Sequence, residues 1–271
     1  MTRAKKPDLR AAAAEAREAR LAALEQTAPV AGIPGPGRWL VVEYQPTALF
    51  SLKLSSATSS VGKTLILPTP YSIKMALVDA AFRARPRLSD EDCSDFTRSL
   101  VEVDVRIAPS EAAAVTHTFV KIRQESRDDD PLVPYIASIA YREVLHHHGH
   151  WLWAFDLLRG DDTLAERLVR LAPHIGYIGK RGSFVQFCGL SRATELNEQF
   201  TQPIQNDNPW SPPPRAHVVL LDDLGPEADL ATLSSFTAQS PKRDRHRKFV
   251  ETIIPMGLVN TGPGFSEYRK G

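Results

Sequence analysis

Alternating apolar and polar side chains predict strands along the chain. Residues 99–107, SLVEVDVRI, alternate strictly, because Val101, Val103, Val105 and Ile107 point one way and the charged residues between them point the other. This pattern is typical of a strand with one buried face. Apolar runs predict further strands at residues 38–44, 151–158, 183–190, 217–221 and 249–259. We expect the first of these to continue through residues 49–54, beyond Pro46.

Two stretches have the periodicity of amphipathic helices. In the first, LPTPYSIKMALVDAAFRAR, Thr69 is a suitable N-cap and Pro70 a suitable first helical residue. The apolar face that follows consists of Ile73, Ala76, Leu77, Ala80 and Ala81. In the second, residues 163–175, one stripe consists of Leu164, Leu168, Leu171 and Ile175.

Residues 108–136 are longer and more polar, and they predict a projecting β-hairpin. The sequence THTFVKIR at its centre alternates, and PLVPYIASIA supplies the second arm. With this hairpin set aside, the order of elements through residue 190 is βαββαβ. The predicted fold class is therefore α+β, with a ferredoxin-like (RRM-like) core, a protruding hairpin and additional C-terminal strands. The open face or the loops of such a fold can bind single-stranded RNA.

The N-terminal part of the chain differs from the rest in composition. Residues 7–26 are dense in Ala, Arg, Glu and Leu, which favour a helix, but their apolar bulk is small. The sequence GIPGPG at residues 32–37 then interrupts any regular structure. We expect a helical or flexible extension over residues 1–37 and one folded domain over residues 38–271.

Composition excludes several classes of protein. The net charge is +1, so a nucleic-acid site would have to be a local basic patch. Cys93 and Cys188 are too few for a disulfide scaffold or a cysteine-based zinc site. No apolar run reaches the roughly eighteen residues of a transmembrane helix, and the charged start of the chain is unlike a secretory signal. We expect a cytoplasmic protein.

The stretch 176–187, GYIGKRGSFVQF, suggests a site for a negatively charged chain. Gly179 and Gly182 permit a sharp turn and close approach, and Lys180 and Arg181 would contact phosphates. A solvated surface turn would explain these twelve residues more simply. The other basic candidates are Lys53, Lys63, Lys74, Arg98, Lys121, Arg123, Arg142 and residues 242–248.

Other chemistries have weaker signatures. His146, His148 and His150 would share a strand face and could hold a metal ion, but a polar turn before residue 151 explains the run equally well. A complete phosphate loop, a nucleophile elbow and a paired-carboxylate signature are all missing from the sequence. Residues 128–130, three aspartates, fit a solvated loop tip. We expect neither a metal nor a cofactor.

Three separated segments occur in a characteristic order and spacing. They are QPTALFSLK with LPTPYSIKMALVDA (45–53 and 67–80), AYREVL (140–145) and YIGKRGSFVQF (177–187). Together they resemble the CRISPR-associated Cas-five family of the RAMP superfamily. Members of this family cap the 5-prime end of the guide RNA (crRNA) in type I Cascade complexes. The resemblance covers roughly residues 39–190. The N-terminal extension and the helix start PYSIKMAL depart from the family pattern.

The resemblance implies a ferredoxin-like core with a hairpin thumb at about residues 108–136. It also implies a non-catalytic subunit that binds the 5-prime handle of the crRNA and contacts the Cascade backbone and large subunits. Such a subunit would meet target DNA only indirectly, since pairing with the guide reads the sequence. The implied RNA contacts are Thr69, Ser72, Lys74, Arg142, Lys180, Arg181 and Ser183. Tyr177, Lys121 and Arg123 join them as neighbouring aromatic and basic residues.

Two alternatives remain open at the level of sequence. One is a metal-independent endoribonuclease that processes precursor crRNA, for which His117, Tyr44 or Lys121 could act on the ribose hydroxyl. The other is a histidine-ligated metalloenzyme, in which His146, His148 and His150 would hold the metal ion.

Overall fold

The computed structural model describes residues 37–54, 63–86, 88–125, 135–157, 162–204, 213–234 and 241–271. All of them belong to the larger of the two units into which the chain divides, Pro34–Gly271. The predicted N-terminal helix and the aspartates at 128–130 lie outside the described residues. Within the described ranges, no helix has the length and hydropathy needed to cross a lipid bilayer.

The strands and helices are numbered here in chain order. The strands are β1 (Trp39–Pro46), β2 (Leu52–Lys53), β3 (Thr64–Leu65), β4 (Val105–Ala108), β5 (Ala112–Glu125), β6 (Tyr135–His148), β7 (Trp151–Asp156), β8 (Val185–Ala193), β9 (Gln202–Pro203), β10 (His217–Leu224), β11 (Arg247–Ile254), β12 (Met256–Gly262) and β13 (Phe265–Lys270). The helices are α1 (Pro70–Arg83), α2 (Asp90–Val101), α3 (Asp162–Leu171) and α4 (Leu230–Leu233), and a 3-10 turn, Ala172–His174, follows α3.

The central sheet has the strand order β4-β7-β1-β8, and every neighbouring pair is antiparallel. Strand β1 lies inside this sheet, which explains why Leu40 and Val42 are fully buried in a nearly continuous apolar run. Val42 lies opposite Trp153 of β7. The fold is α+β and ferredoxin-like, but the connection from β1 to β4 differs from the predicted single helix. Two helices, α1 and α2, instead of one connect β1 to β4.

The strand predicted over residues 99–107 is wrong in its first half, because residues through Val101 belong to α2. Ser89 caps this helix, since its hydroxyl accepts a hydrogen bond of 3.0 Å from the Asp92 amide. Three acidic residues in the first turn complement the helix dipole. Phe96 and Leu100, four residues apart, are fully buried. The strand itself, β4, starts at Val105.

The predicted hairpin is present and is longer than expected. Strands β5 and β6 pair antiparallel from Ala112 opposite His148 to Glu125 opposite Tyr135, so the second arm runs to His148, well beyond the predicted end at residue 136. Strand β13 pairs with the base of β5, and β12 pairs with β13. Phe119, in the middle of β5, is 74% exposed.

Two further strand predictions need correction. Residues 49–54 do not continue β1; β2 pairs with β3, and Phe50 exchanges two backbone hydrogen bonds of 2.8 Å with Leu145 of β6. Residues 249–259 do not form one strand, because Pro255 separates β11 from β12 and the two enter different sheets. Strand β11 pairs with β10 and β9, whereas β12 pairs with β13.

Candidate nucleic-acid interface

A cavity of about 800 Å³ lies along α1, and we call it the α1 cavity. Its walls come from α1, the strand pair β2–β3, the glycine-bounded turn before β8, and parts of β10, α4 and β11. The floor is apolar. Cations and aromatic rings also line it: Lys53, Tyr71, Phe82, Tyr177, Lys180 and Arg247. The lining carboxylates, Asp79 and Asp222, are paired with Arg83 and Arg247. This combination suits a ligand with flat apolar parts and negative charges.

The start of α1 forms as its sequence predicts. The Thr69 amide donates to the Ser72 hydroxyl at 2.9 Å, and the Ser72 amide donates to the Thr69 hydroxyl at 3.1 Å. This reciprocal capping box, with Pro70 next to the cap, fixes the first turn. Both capping residues line the α1 cavity. Their hydroxyls already serve the cap, so their contribution to the cavity is mainly to hold the helix start in position.

Lys74 occupies a different position from the one predicted for a phosphate contact. Its side chain is 0% exposed, and its ammonium lies 2.7 Å from Asp223 Oδ1. Burial lowers the pKa of Lys74 and raises the pKa of Asp223, and each charge opposes the shift of the other. The structure therefore corrects the expectation for this residue: Lys74 is part of a buried ion pair that joins α1 to β10.

The glycine-bounded turn has a defined backbone conformation. Gly179 and Gly182 have φ values of +68° and +103°, which L side chains rarely adopt. The Ser183 amide donates to the Lys180 carbonyl at 3.1 Å. Ser183 is buried, whereas Lys180 and Arg181 are exposed. The side chains of Lys180 and Arg181 are therefore accessible to a ligand, whereas the Ser183 side chain is buried within the protein.

A stacked pair that sequence reasoning missed completes the wall. The Arg247 guanidinium lies 4.4 Å from the centre of the Tyr71 ring, and its Nε donates to Asp222 Oδ2 at 2.5 Å. Burial raises the pKa of the Tyr71 phenol. Arg247 belongs to the basic run at 242–248, but no local pattern in the sequence predicts its stacking on Tyr71. The pairing of β10 with β11 brings Asp222 and Arg247 together.

The remaining predicted contacts lie on the long hairpin and do not belong to the wall of the α1 cavity. Lys121 and Arg123 are exposed on the same face as Phe119. Arg142 is half-buried on the other face, opposite Thr118, and donates to the Tyr141 carbonyl at 3.4 Å. The structure therefore brings together Thr69, Ser72, Tyr177 and Lys180, and it leaves the three hairpin cations in a separate region.

The long hairpin also supports one wall of the cavity. The Thr64 amide of β3 donates to Glu143 Oε2 at 2.8 Å, and Phe50 is bonded to Leu145 through both backbones. These contacts hold β2 and β3 against β6. All three segments of the sequence resemblance therefore lie in or against the wall of one cavity.

The three residues that were candidates for catalysis differ in their exposure to solvent. Tyr44 is fully buried, its hydroxyl donates to the Ala172 carbonyl at 2.7 Å, and burial raises its pKa. It cannot approach a ribose without unfolding. His117 is partly exposed, and its Nε2 lies 3.4 Å from Glu143 Oε1. Lys121 is exposed four register positions further along β5.

The histidine run is on β6 and not in a polar turn. His146 and His148 are exposed, whereas His147 is buried against Trp151 and its Nδ1 lies 2.9 Å from the Ser110 hydroxyl. Burial lowers the pKa of His147 to about 3. His150 follows the turn at Gly149 and contacts Glu43 at 2.5 Å, so it does not share a strand face with the others. Among the described residues, no three or more His, Cys, Asp or Glu side chains are arranged to hold a metal ion.

Comparison with known proteins gives distant structural likenesses. No protein-family description matches the chain, and no curated protein matches it either. A CRISPR protein from Archaeoglobus fulgidus is 10% identical, with 86% of this chain and 92% of that chain covered and a TM-score of 0.43. A chain of a CRISPR RNA-guided surveillance complex is 14% identical, with 80% and 89% covered and a TM-score of 0.45. Likenesses this distant do not decide the function.

Proposed function

We propose that this chain is a non-catalytic member of the Cas-five family that binds the 5-prime handle of a crRNA in a Cascade-type complex. In this role Lys180 and Arg181 contact phosphates at the glycine-bounded turn. Tyr71 and Tyr177 offer ring faces to unpaired bases in the α1 cavity. The backbone and large subunits of the complex are the proposed protein partners.

One observation carries the proposal. The segments 45–53 with 67–80, 140–145 and 177–187, which together resemble the Cas-five family, all build or support one cavity. The cavity has an apolar floor, two tyrosine rings and cations from three separate elements. A single-stranded nucleic acid needs such a combination, because its phosphates require positive charge and its bases require flat apolar contacts.

The test is the salt dependence of RNA binding, measured by fluorescence anisotropy. One labelled RNA carries the handle at its 5-prime end, and a second lacks it. We expect tighter binding of the first RNA. For Lys180→Ala with Arg181→Ala, the slope of log affinity against log salt should fall by about 1.4, since each single-strand phosphate contact contributes about 0.7.

The matched control removes two exposed cations elsewhere, Arg98→Ala with Arg269→Ala. It should leave the salt slope nearly unchanged. Equal affinity for both RNAs, or an equal slope change in both double variants, would contradict the proposal. Co-purification of the tagged protein with its native operon products then identifies the protein partners and the bound RNA.

A metal-independent endoribonuclease is the second candidate, and the His117–Glu143 contact favours it. A carboxylate next to an imidazole can orient it for proton transfer. This function predicts clean cleavage of repeat RNA in the presence of EDTA and its loss in His117→Ala. Intact RNA after prolonged incubation with the wild-type protein would exclude this second function.

A further inference from the structure

The turn at residues 242–248, KRDRHRK, is the most basic stretch among the described residues outside the glycine-bounded turn, and the proposed function uses only its Arg247. Five of its seven residues are Lys or Arg. Lys242 and Arg243 are exposed. Such a density of positive charge costs free energy through self-repulsion, so its concentration in one ordered turn suggests a ligand of opposite charge.

This turn is held in a single conformation by its own backbone. The Asp244 amide donates to the Arg247 carbonyl at 2.8 Å, and the His246 amide donates to the Lys242 carbonyl at 2.9 Å. His246 is buried, and its Nδ1 accepts from the Lys242 amide at 3.1 Å. The Gly225 amide ties the turn to the end of β10 through the His246 carbonyl at 3.0 Å. An ordered turn loses little conformational entropy when it binds a ligand.

The cations of the turn divide into two groups. Arg245 donates to both carboxylate oxygens of Glu227, at 2.9 and 2.8 Å, and Arg247 is bonded to Asp222. These two guanidinium groups are largely neutralised. Arg243 is 72% exposed, and its guanidinium lies 5.0 Å from the centre of the Phe249 ring and 3.9 Å from Asp244. The fifth cation, Lys248, is 43% exposed and lies 3.7 Å from Asp223. Among the described residues, Lys242 and Arg243 are therefore the two cations of the turn that form no ion pair with a carboxylate of another element.

Arg247 connects this turn to the α1 cavity. Its guanidinium is stacked on Tyr71 and lines the cavity wall, to which Lys180 also belongs. The two basic turns, 177–184 and 242–248, are thus joined through one cavity. In the 242–248 turn two guanidinium groups lie over aromatic rings, an arrangement that also offers planes for stacking of unpaired bases.

We propose that the 242–248 turn is a second phosphate-binding element, which contacts the same single-stranded RNA beyond the α1 cavity. Lys242 and Arg243 bind phosphodiesters there, and the stacked Arg247–Tyr71 pair links the turn to the cavity wall that also contains Lys180. The ordered backbone and the ring-stacked guanidinium groups favour RNA over an acidic protein surface as the ligand. This inference rests on the proposed function of the α1 cavity.

The experiment compares the wild-type protein and four variants in the anisotropy assay with the handle-bearing RNA. Lys242→Ala with Arg243→Ala should lower the salt slope by about 1.4, and combination with Lys180→Ala and Arg181→Ala should lower it by about 2.8. The matched control is Arg245→Ala in the same turn. Because Glu227 already neutralises Arg245, its loss should change the slope by much less than one contact.

The outcomes separate this inference from the proposed function. If the Lys180 and Arg181 variant loses slope while the Lys242 and Arg243 variant does not, the second element is refuted and the α1 cavity stands. If the wild-type protein does not prefer the handle-bearing RNA, both are refuted. If the Lys242 and Arg243 variant keeps the wild-type salt slope for RNA but no longer co-purifies with another subunit, the second element is refuted and the turn binds a protein partner instead. Unchanged thermal midpoints show that every variant is folded.

Discussion

Replacement of the buried Lys74 by methionine should destabilise the fold without removing an RNA contact. The Lys74 ammonium has no exposed surface and lies 2.7 Å from Asp223 Oδ1 and 3.0 Å from Oδ2. Methionine has a similar length, so the apolar stem of the side chain can be kept. The change leaves the Asp223 carboxylate buried with only the more distant Lys248 ammonium, at 3.7 Å, as a counter-ion.

The expected cost follows from the loss of one partner of a buried pair, which is about 3–5 kcal/mol. Lys248 compensates in part, so the lower end, about 3 kcal/mol, is expected. The deficit should shrink as pH falls. The Lys74 charge opposes the rise that burial causes in the pKa of Asp223, so its loss raises that pKa further, and a protonated Asp223 costs less to bury. The double variant with Asp223→Leu should regain much of the stability, because no unpaired charge remains buried.

The assay is urea unfolding of the wild-type protein, both single variants and the double variant, followed by circular dichroism. RNA anisotropy at a temperature where all four are folded gives the second measurement. A cost below about 1 kcal/mol for Lys74→Met would refute the buried pair. A drop of about 0.7 in the RNA salt slope would instead identify Lys74 as the phosphate contact that its sequence position suggests.

Three further predictions concern the turn and the core. Gly182→Ala should lower the free energy of unfolding by about 1–2 kcal/mol and weaken handle binding, because Gly182 has φ +103°, which alanine adopts only with strain. Gly189→Ala is the control, since an added Cβ has free space at both positions and Gly189 has no positive φ. Below pH 6.5 the free energy of unfolding of the wild-type protein should fall by about 1.4 kcal/mol per pH unit more than that of His147→Gln. The reason is that His147 binds a proton in the unfolded state, whereas burial keeps it neutral in the folded state until about pH 3. Equal pH dependence of the two proteins would contradict this. Tyr44→Phe should cost about 1–2 kcal/mol in urea unfolding through its lost bond to Ala172 and leave any RNA cleavage unchanged.

Local signals in the sequence were sufficient for most of the central sheet and for the start of α1. Thr69 and Pro70 act within one helical turn, so their roles are independent of distant residues. The helix α2 was missed although Ser89 and the acids after it mark its start. The alternation from Val101 to Ile107 was more conspicuous, but it combines the end of a helix with a short strand.

The parts of the candidate site that could not be predicted depend on contacts between residues far apart in the sequence. Lys74 is buried because Asp223, 149 positions away, lies beside it. Arg247 reaches Tyr71 only because β10 and β11 pair next to α1. The glycine-bounded turn was predictable, since its conformation depends on the two glycines themselves. A site assembled from three elements needs the fold before its members can be recognised.

The most direct test of the account is to map where a guide RNA contacts the chain. Photo-crosslinking of the full chain to a handle-bearing RNA with 4-thiouridine at each handle position, followed by mass spectrometry, gives the contacts residue by residue. The account predicts crosslinks at Tyr71 and Tyr177, in the wall of the α1 cavity. Crosslinks confined to the long hairpin, with none on either tyrosine peptide, would contradict it.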